Sequence, residues 1–501
     1  INGPISETGG AKNLTKSGNG VLQLANSSNS YTGVTAITGT QGGILVTANN
    51  TLGTTAGNTT VAAGTSLGIA GGVNYAAAET IVGSGAGSAA ITGAFTGASR
   101  GFVQGLSGSS TFAGAIQIDV TGTSRIGTQD GGSLTLSGPI TMAGATTGVS
   151  VLFRAGNTAG DFITLSNTGN SWDGQTQIFS GNTNTGSGIR LGVNNALPTS
   201  APVSVVTNST SGTRLDLAGF SQQVGGLILT NTSTFLKVTN SVAATTSVLT
   251  LNSATDRLFD TGGVIEDGAG IVEVVKAGAG TQVFGGVHTY TGETKVNGGR
   301  LTIGFTGTIN GTDAVSIGTG EFRYNSSTAL SQAVSFSSAG GTLSGTGTIT
   351  PAVDISIGNT LAIGDGTTGA MSFGGALTVG GTYRYQVDGG TNIADLGDVT
   401  GNLTLGGILD LVQLGSYTVG DKFTLFAYDG TLGGTLSGIA DDADFTAGGG
   451  LWNMNYNDDT AGLNGGVSAS STYVTITAVP EPAAAWLAGL GALFLLRRRR
   501  A

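Results

Sequence analysis

The sequence predicts an all-β chain: a β-solenoid over residues 1–375, a small antiparallel β unit over 376–478, and a tail, 479–501, built around a short apolar helix. Three observations lead there. Glycine supplies 91 of the 501 residues, yet the chain is 39% hydrophobic and only 10% charged, whereas disordered chains pair low hydrophobicity with high charge. One short phrase recurs four times along the chain. The texture then changes twice towards the end, first to longer strands and then to an uninterrupted apolar run.

The recurring phrase reads SNSYTGVTAI, SSTFAGAIQI, GNSWDGQTQI and VHTYTGETKV. Each copy has an aromatic, a glycine two residues on and an Ile or Val six residues on: Tyr31/Gly33/Ile37, Phe112/Gly114/Ile118, Trp172/Gly174/Ile178 and Tyr290/Gly292/Val296. LTKSGNGVLQL precedes the first copy and VVKAGAGTQVF the fourth. Short runs such as Val21-Leu22-Gln23-Leu24 suit half-buried strands. The Gly and Asn between them supply positive φ at little steric cost. One copy cannot bury its own apolar face, so successive coils of roughly 20–25 residues must stack and pair strand over strand. The aromatics are expected as corner packing within the stack; the competing reading is a ladder for sugar rings.

The repeat resembles the autotransporter-associated β-strand repeat, also called the passenger-associated transport repeat. Its pattern runs Lys-x-Gly-x-Gly-x-Leu-x-Leu, Asn-x-Tyr-x-Gly-x-Thr-x-Val, Gly-x-Leu. Lys16 to Val46 and Lys276 to Ile303 match it closely. The second copy lacks the lysine element, and the third carries Trp172 and Asp173 instead, followed by LGVNNALP. The resemblance implies a right-handed parallel β-helix in an exported bacterial protein. Its name also invites an autotransporter passenger, but those proteins end in a membrane β-barrel of alternating strands, and a helix-type tail stands here.

From about Gly340 the texture changes: GGTLSGTGTITPAVDISIGNTLAIGDG reads as the last coils of the solenoid, and then the strands lengthen, through YRYQV, NLTLGGILDLVQL, DKFTLFAY, LWNMNYNDD and TYVTITAV. They are read as a β cap on the last coil, because an open solenoid end is a sticky edge. Asp441, Asp442 and Asp444 with Asp458 and Asp459 form an acidic cluster, either a Ca²⁺ site or solvated loop charge, and no metal or other cofactor is assigned.

In the tail, Ala483–Leu496 is apolar and uncharged, and Arg497–Arg500 follow directly. The stretch falls short of a full bilayer span unless Val479 onward is counted and the arginines snorkel. Arginine clusters stay cytoplasmic, which places the body across the membrane. The order Pro480-Glu481-Pro482, apolar helix, Arg497, Arg498, Arg499, Arg500 resembles the PEP-CTERM sorting signal. That resemblance implies an exosortase-type sorting enzyme as partner and a transient membrane anchor. The chain opens on Ile1 with no export signal and is read as a mature chain or a fragment.

Composition narrows function further. No cysteine is present, so disulfides and thiolate chemistry are excluded. Without the tail arginines, 15 basic residues face 29 acidic ones, and no basic patch with interleaved aromatics appears, so nucleic acid is discounted as a partner. His288 is the single histidine and sits where the repeat allows a variable turn residue. Asp161, Asp173, Arg154 and Arg190 are the remaining candidates for chemistry between coils. The expectation is therefore a non-catalytic, adhesin-like surface or matrix protein, with extracellular polysaccharide as the candidate ligand. The alternative is a carbohydrate-active β-helix enzyme, which requires a mixed-charge groove built from several adjacent coils.

Overall fold

In a computed structural model of the chain, the described residues are 1–75, 79–87, 100–179, 186–206, 212–230, 235–364, 366–465, 470 and 472–480. The chain divides into two compact units, Ile1–Gly292 and a second that starts at Glu293. Every regular element among the described residues is a strand. No helix among them is long and apolar enough to cross a membrane; the expected tail helix lies outside the described residues.

The first unit is a parallel β-solenoid with three sheet faces. One face runs Leu14–Lys16, Thr35–Ile37, Thr59–Val61, Thr80–Gly83, Ala115–Ile118 and Ile140–Met142. A second begins Val21–Leu24, Gly43–Val46, Ser66–Ile69, and a third runs from Asn74–Tyr75 to Gly263–Ile265. Each strand pairs in parallel with its counterpart one coil on, so like residues stack: Leu24 beside Val46, Val46 beside Ile69. All three are buried. Alternation does the sorting, as in Ile271–Ala277, where Val272 and Val274 point inward and their neighbours outward. A solenoid wall of this kind buries one face and wets the other.

The second unit is likewise built of parallel coils. One contains Arg300–Ile303, Glu321–Tyr324, Thr342–Gly345, Thr360–Ile363, Thr382–Asp388 and Ile408–Gln413. Parallel pairing persists well past residue 376: Leu377–Val379 pairs with Leu403–Leu405, and that strand with Leu432–Gly434. The antiparallel region is therefore smaller than the sequence suggests. Apart from a hairpin between Thr382–Asp388 and Ile393–Ala394, it comprises Thr472–Ala478, Gly450–Asp458 and Asp444–Ala447, laid against Lys422–Tyr428. Leu377, Val379, Leu403 and Leu405 keep the inward alternation of the coils before them. A Cβ on Gly407 would collide with the Gly381 carbonyl one coil back.

Lys422–Tyr428 carries buried side chains on both faces. A bulge falls between Thr424 and Phe426. Phe426 packs on Tyr383 with ring centroids 4.6 Å apart, while Phe423 meets Trp452 at 6.3 Å. Asp444–Ala447 ends the sheet, with Asp441, Asp442 and Asp444 at that margin; charge on an edge strand discourages further pairing.

Candidate functional site

The four corners are built alike. Tyr31, Phe112, Trp172 and Tyr290 are each buried, none more than 3% exposed, so none offers a ring face to a sugar. At two corners the polar tip of the ring bonds to the threonine four residues on: the Tyr31 hydroxyl and Thr35 Oγ1 are 2.6 Å apart, and Trp172 Nε1 donates to Thr176 Oγ1 at 3.2 Å. The corner glycine is dictated by the coil beneath it. A Cβ on Gly33, Gly114 or Gly292 would strike the carbonyl oxygen of Lys12, Glu79 or Val272, and on Gly174 it would sit 2.6 Å from that of Val149.

Two residues before the aromatic, asparagine ties coils together. Asn29 Oδ1 accepts from Ile5 N at 2.8 Å while its Nδ2 donates to the Thr51 carbonyl at 2.7 Å. Asn170 does the same between Ile140 N and the Ala196 carbonyl, both at 2.7 Å. The repeat lysine has an equally local task. Lys16 Nζ donates to the carbonyls of Ser17 and Gly18, and Lys276 Nζ to those of Ala277 and Gly278. Gly18 and Gly278 adopt φ of 75° and 69°, a turn that aims both carbonyls at the ammonium and that only glycine takes up without strain. Burial pushes the Lys276 pKa down to about 8.

His288 occupies the asparagine position of the fourth copy. It is buried, not a variable turn residue: Nδ1 accepts from Ile265 N at 3.0 Å, and the ring stacks on Phe259 and lies 4.5 Å from the Phe284 centroid. Nε2 has no partner, and burial lowers the pKa to about 3, so the ring is neutral. In the second copy Ser110 takes this position, and its hydroxyl also lacks a partner.

The other candidates for chemistry do not converge. Asp173 accepts from Gly148 N and Val149 N, each at 2.8 Å, and those bonds hold its pKa below the ordinary range. Asp161 accepts from Gly131 N and Thr158 N. Arg190 pairs with Asp216 at 2.9 Å and lies 4.0 Å over the Phe162 ring, whereas Arg154 lies over Phe179. Of the acidic cluster, Asp458 is committed to Lys422, Thr460 and Thr475, and Asp444 to Asn453. Among the described residues no group of three or more potential ligands is placed to hold a metal ion.

One concave feature does gather charge from several coils, on the 300–388 face of the second unit. It is a groove of about 210 Å³ whose lining includes Arg300, Glu321, Arg323, Ser344, Arg384 and Gln386. Glu321 is shared by two guanidinium groups: Arg300 Nε is 2.8 Å from Oε2 and Arg323 Nη2 is 2.9 Å from Oε1. The Ser344 hydroxyl donates to Oε1 at 2.6 Å. Burial pushes the Glu321 carboxyl up, but the Ser344 and Arg300 bonds and the Arg323 charge outweigh it, and the pKa stays below the usual range. Arg384 bonds Asp410 at 2.9 Å near the surface. None of these residues carries a signal in the linear sequence.

Stacked parallel coils with inward apolar rows and polar staples define a β-solenoid. Within it, residues 14–39 and 274–303 match the passenger-associated-transport-repeat model, and 478–500 match the PEP-CTERM protein-sorting motif. The chain thus carries passenger-associated transport repeats and a protein-sorting motif, which point to an exported protein of the cell surface or exterior. Pro480 is described; Glu481, Pro482 and Arg497–Arg500 lie outside the described residues. The crystal structure of the Haemophilus influenzae Hap adhesin is similar at 10% identity and a TM-score of 0.28, covering 95% of this chain and 59% of that one. This chain therefore spans about 59% of that adhesin's length. No curated protein matches the sequence.

Proposed function

We propose that this protein is a non-catalytic, adhesin-like solenoid of the cell surface or extracellular matrix. Its tail engages an exosortase-type enzyme and anchors the chain in the membrane, through the apolar 483–496 stretch, until it is processed. The observation that carries the non-catalytic part is the commitment of the reactive side chains. Asp161 and Asp173 accept backbone N–H bonds across coils, and His288 is sealed in the core. Glycoside hydrolysis needs two carboxyl groups across a sugar; in the groove Glu321 is clamped by two arginines and kept ionised.

A carbohydrate-active enzyme is the second reading, because the groove combines both signs of charge from adjacent coils. The experiment separates tail and catalysis. Intact mass of the protein from cell and medium fractions of its producer should show loss of a fragment that begins near Pro480–Pro482. Incubation with extracellular polysaccharides should release no reducing or unsaturated ends. Full-length chains in every fraction would overturn the sorting proposal, and glycan turnover the non-catalytic one.

A further inference from the structure

The groove on the 300–388 face has a geometry that selects a ligand. Arg323 stands beside Ser344, Ser344 beside Ala362, and Ala362 beside Arg384, each on the next strand. The two arginines are thus three strand spacings apart, about 14 Å, with a floor of small side chains between them. Arg300 adds a guanidinium one strand before Arg323, on the row of its partner Glu321. Apart from the four tail arginines the chain holds only 15 basic residues against 29 acidic ones, so arginines gathered on nearby strands stand out against the composition.

The row runs across the strands, along the direction in which coils stack. A linear polymer laid in it meets equivalent positions strand after strand. Neutral sugars are gripped largely by stacking on aromatic faces, and among the described residues no aromatic ring lines this groove. Guanidinium forks instead match planar carboxylates. Arg300 and Arg384 use Nε for Glu321 and Asp410, and each of these two side chains keeps more than a third of its surface exposed.

We infer that this groove binds an acidic polysaccharide, with carboxylates of its uronate units seated on Arg300 and Arg384 and its hydroxyls on Thr342 and Gln386. This deepens the surface reading by naming the ligand class of a surface protein. The two fail separately: a protein that loses its tail on sorting but ignores uronates keeps the first and loses the second.

The test titrates full-chain protein with polygalacturonate, dextran and dextran sulfate at several salt concentrations. Polygalacturonate binds, and the binding weakens as salt rises; dextran does not bind. The double variant Arg300→Gln/Arg384→Gln weakens binding at least about tenfold. Ala362→Glu, which removes no arginine but puts a carboxylate in the floor, weakens it as well. Both variants keep the parent's unfolding temperature, which separates a lost site from a lost fold. Unchanged binding in both, or dextran held as tightly as polygalacturonate, overturns the assignment. So does a preference for dextran sulfate, which would make the groove a sulfate-ester site.

Discussion

The corners and the groove are both rich in polar side chains, and they use them in opposite ways. At the Trp172 corner polar atoms are spent inside the stack: Asn170 bridges Ile140 and Ala196 on other coils, and Trp172 bonds Thr176 on its own. In the groove, Arg300 and Arg384 remain partly exposed, each beside a carboxylate of a neighbouring strand. The difference teaches which polarity builds the solenoid and which is left over for a ligand. Buried backbone groups must be paired, so corner polarity is compulsory. Arg300 and Arg384 are each more than a third exposed, and ion pairs at such positions contribute little stability, so the charge of these two is not explained by the fold.

That contrast breaks most readily at the corners. Asn170→Ala strands the Ile140 N–H and the Ala196 carbonyl and is expected to cost about 2–5 kcal/mol, measured by thermal or urea unfolding. Gly114→Ala drives a Cβ into the Glu79 carbonyl and should cost about 1–3 kcal/mol; a cost near zero would mean the coils are not in tight contact there.

A pH-dependent effect comes next. Glu79 accepts from the Thr59 hydroxyl at 2.7 Å, its other oxygen has no partner, and burial raises its pKa to about 7. A carboxyl whose folded pKa lies above its unfolded value of 4.5 contributes stability that is present below that value and is lost as pH rises through the folded one. Glu79→Gln should therefore raise the unfolding temperature at about pH 8 and change it little at about pH 5. Equal effects at both values would mean the carboxyl is not buried as described. Smaller still is the signature of His288. As the single histidine, it gives one imidazole signal by NMR, and with a pKa near 3 that signal should not move between about pH 8 and 5.

Much of the stack was legible from the chain alone, because its rules are local. An aromatic, a glycine two residues on and an alternating strand mark each corner, and the lysine before a glycine turn marks the entry. What those residues contact was not legible. Asn29 and Asn170 act on coils before and after their own, and the place of Thr35 and Thr176 in the pattern follows from the ring they bond. His288 looked variable because its neighbours in sequence are turn residues, whereas its neighbours in space are Phe259 and Phe284.

The groove was invisible for a stronger reason. Arg300, Arg323 and Arg384 lie on separate coils, and only the pairing register brings them to neighbouring strands. Coil lengths vary, so that register cannot be counted off the sequence. The point at which antiparallel pairing begins is hidden in the sequence for a related reason. Parallel and antiparallel strands share the same alternation of period two, and Leu403–Leu405 reads alike in either.

The central claim is that corner polarity holds the solenoid together and groove polarity does not. It is tested most directly by the unfolding temperatures of Asn170→Ala and Arg300→Gln/Arg384→Gln, measured side by side in the full chain. The account predicts a clear fall for the first and a change worth no more than about 1 kcal/mol for the second. A stable Asn170→Ala protein beside a destabilised groove variant would contradict it, and would make the arginines part of the scaffold.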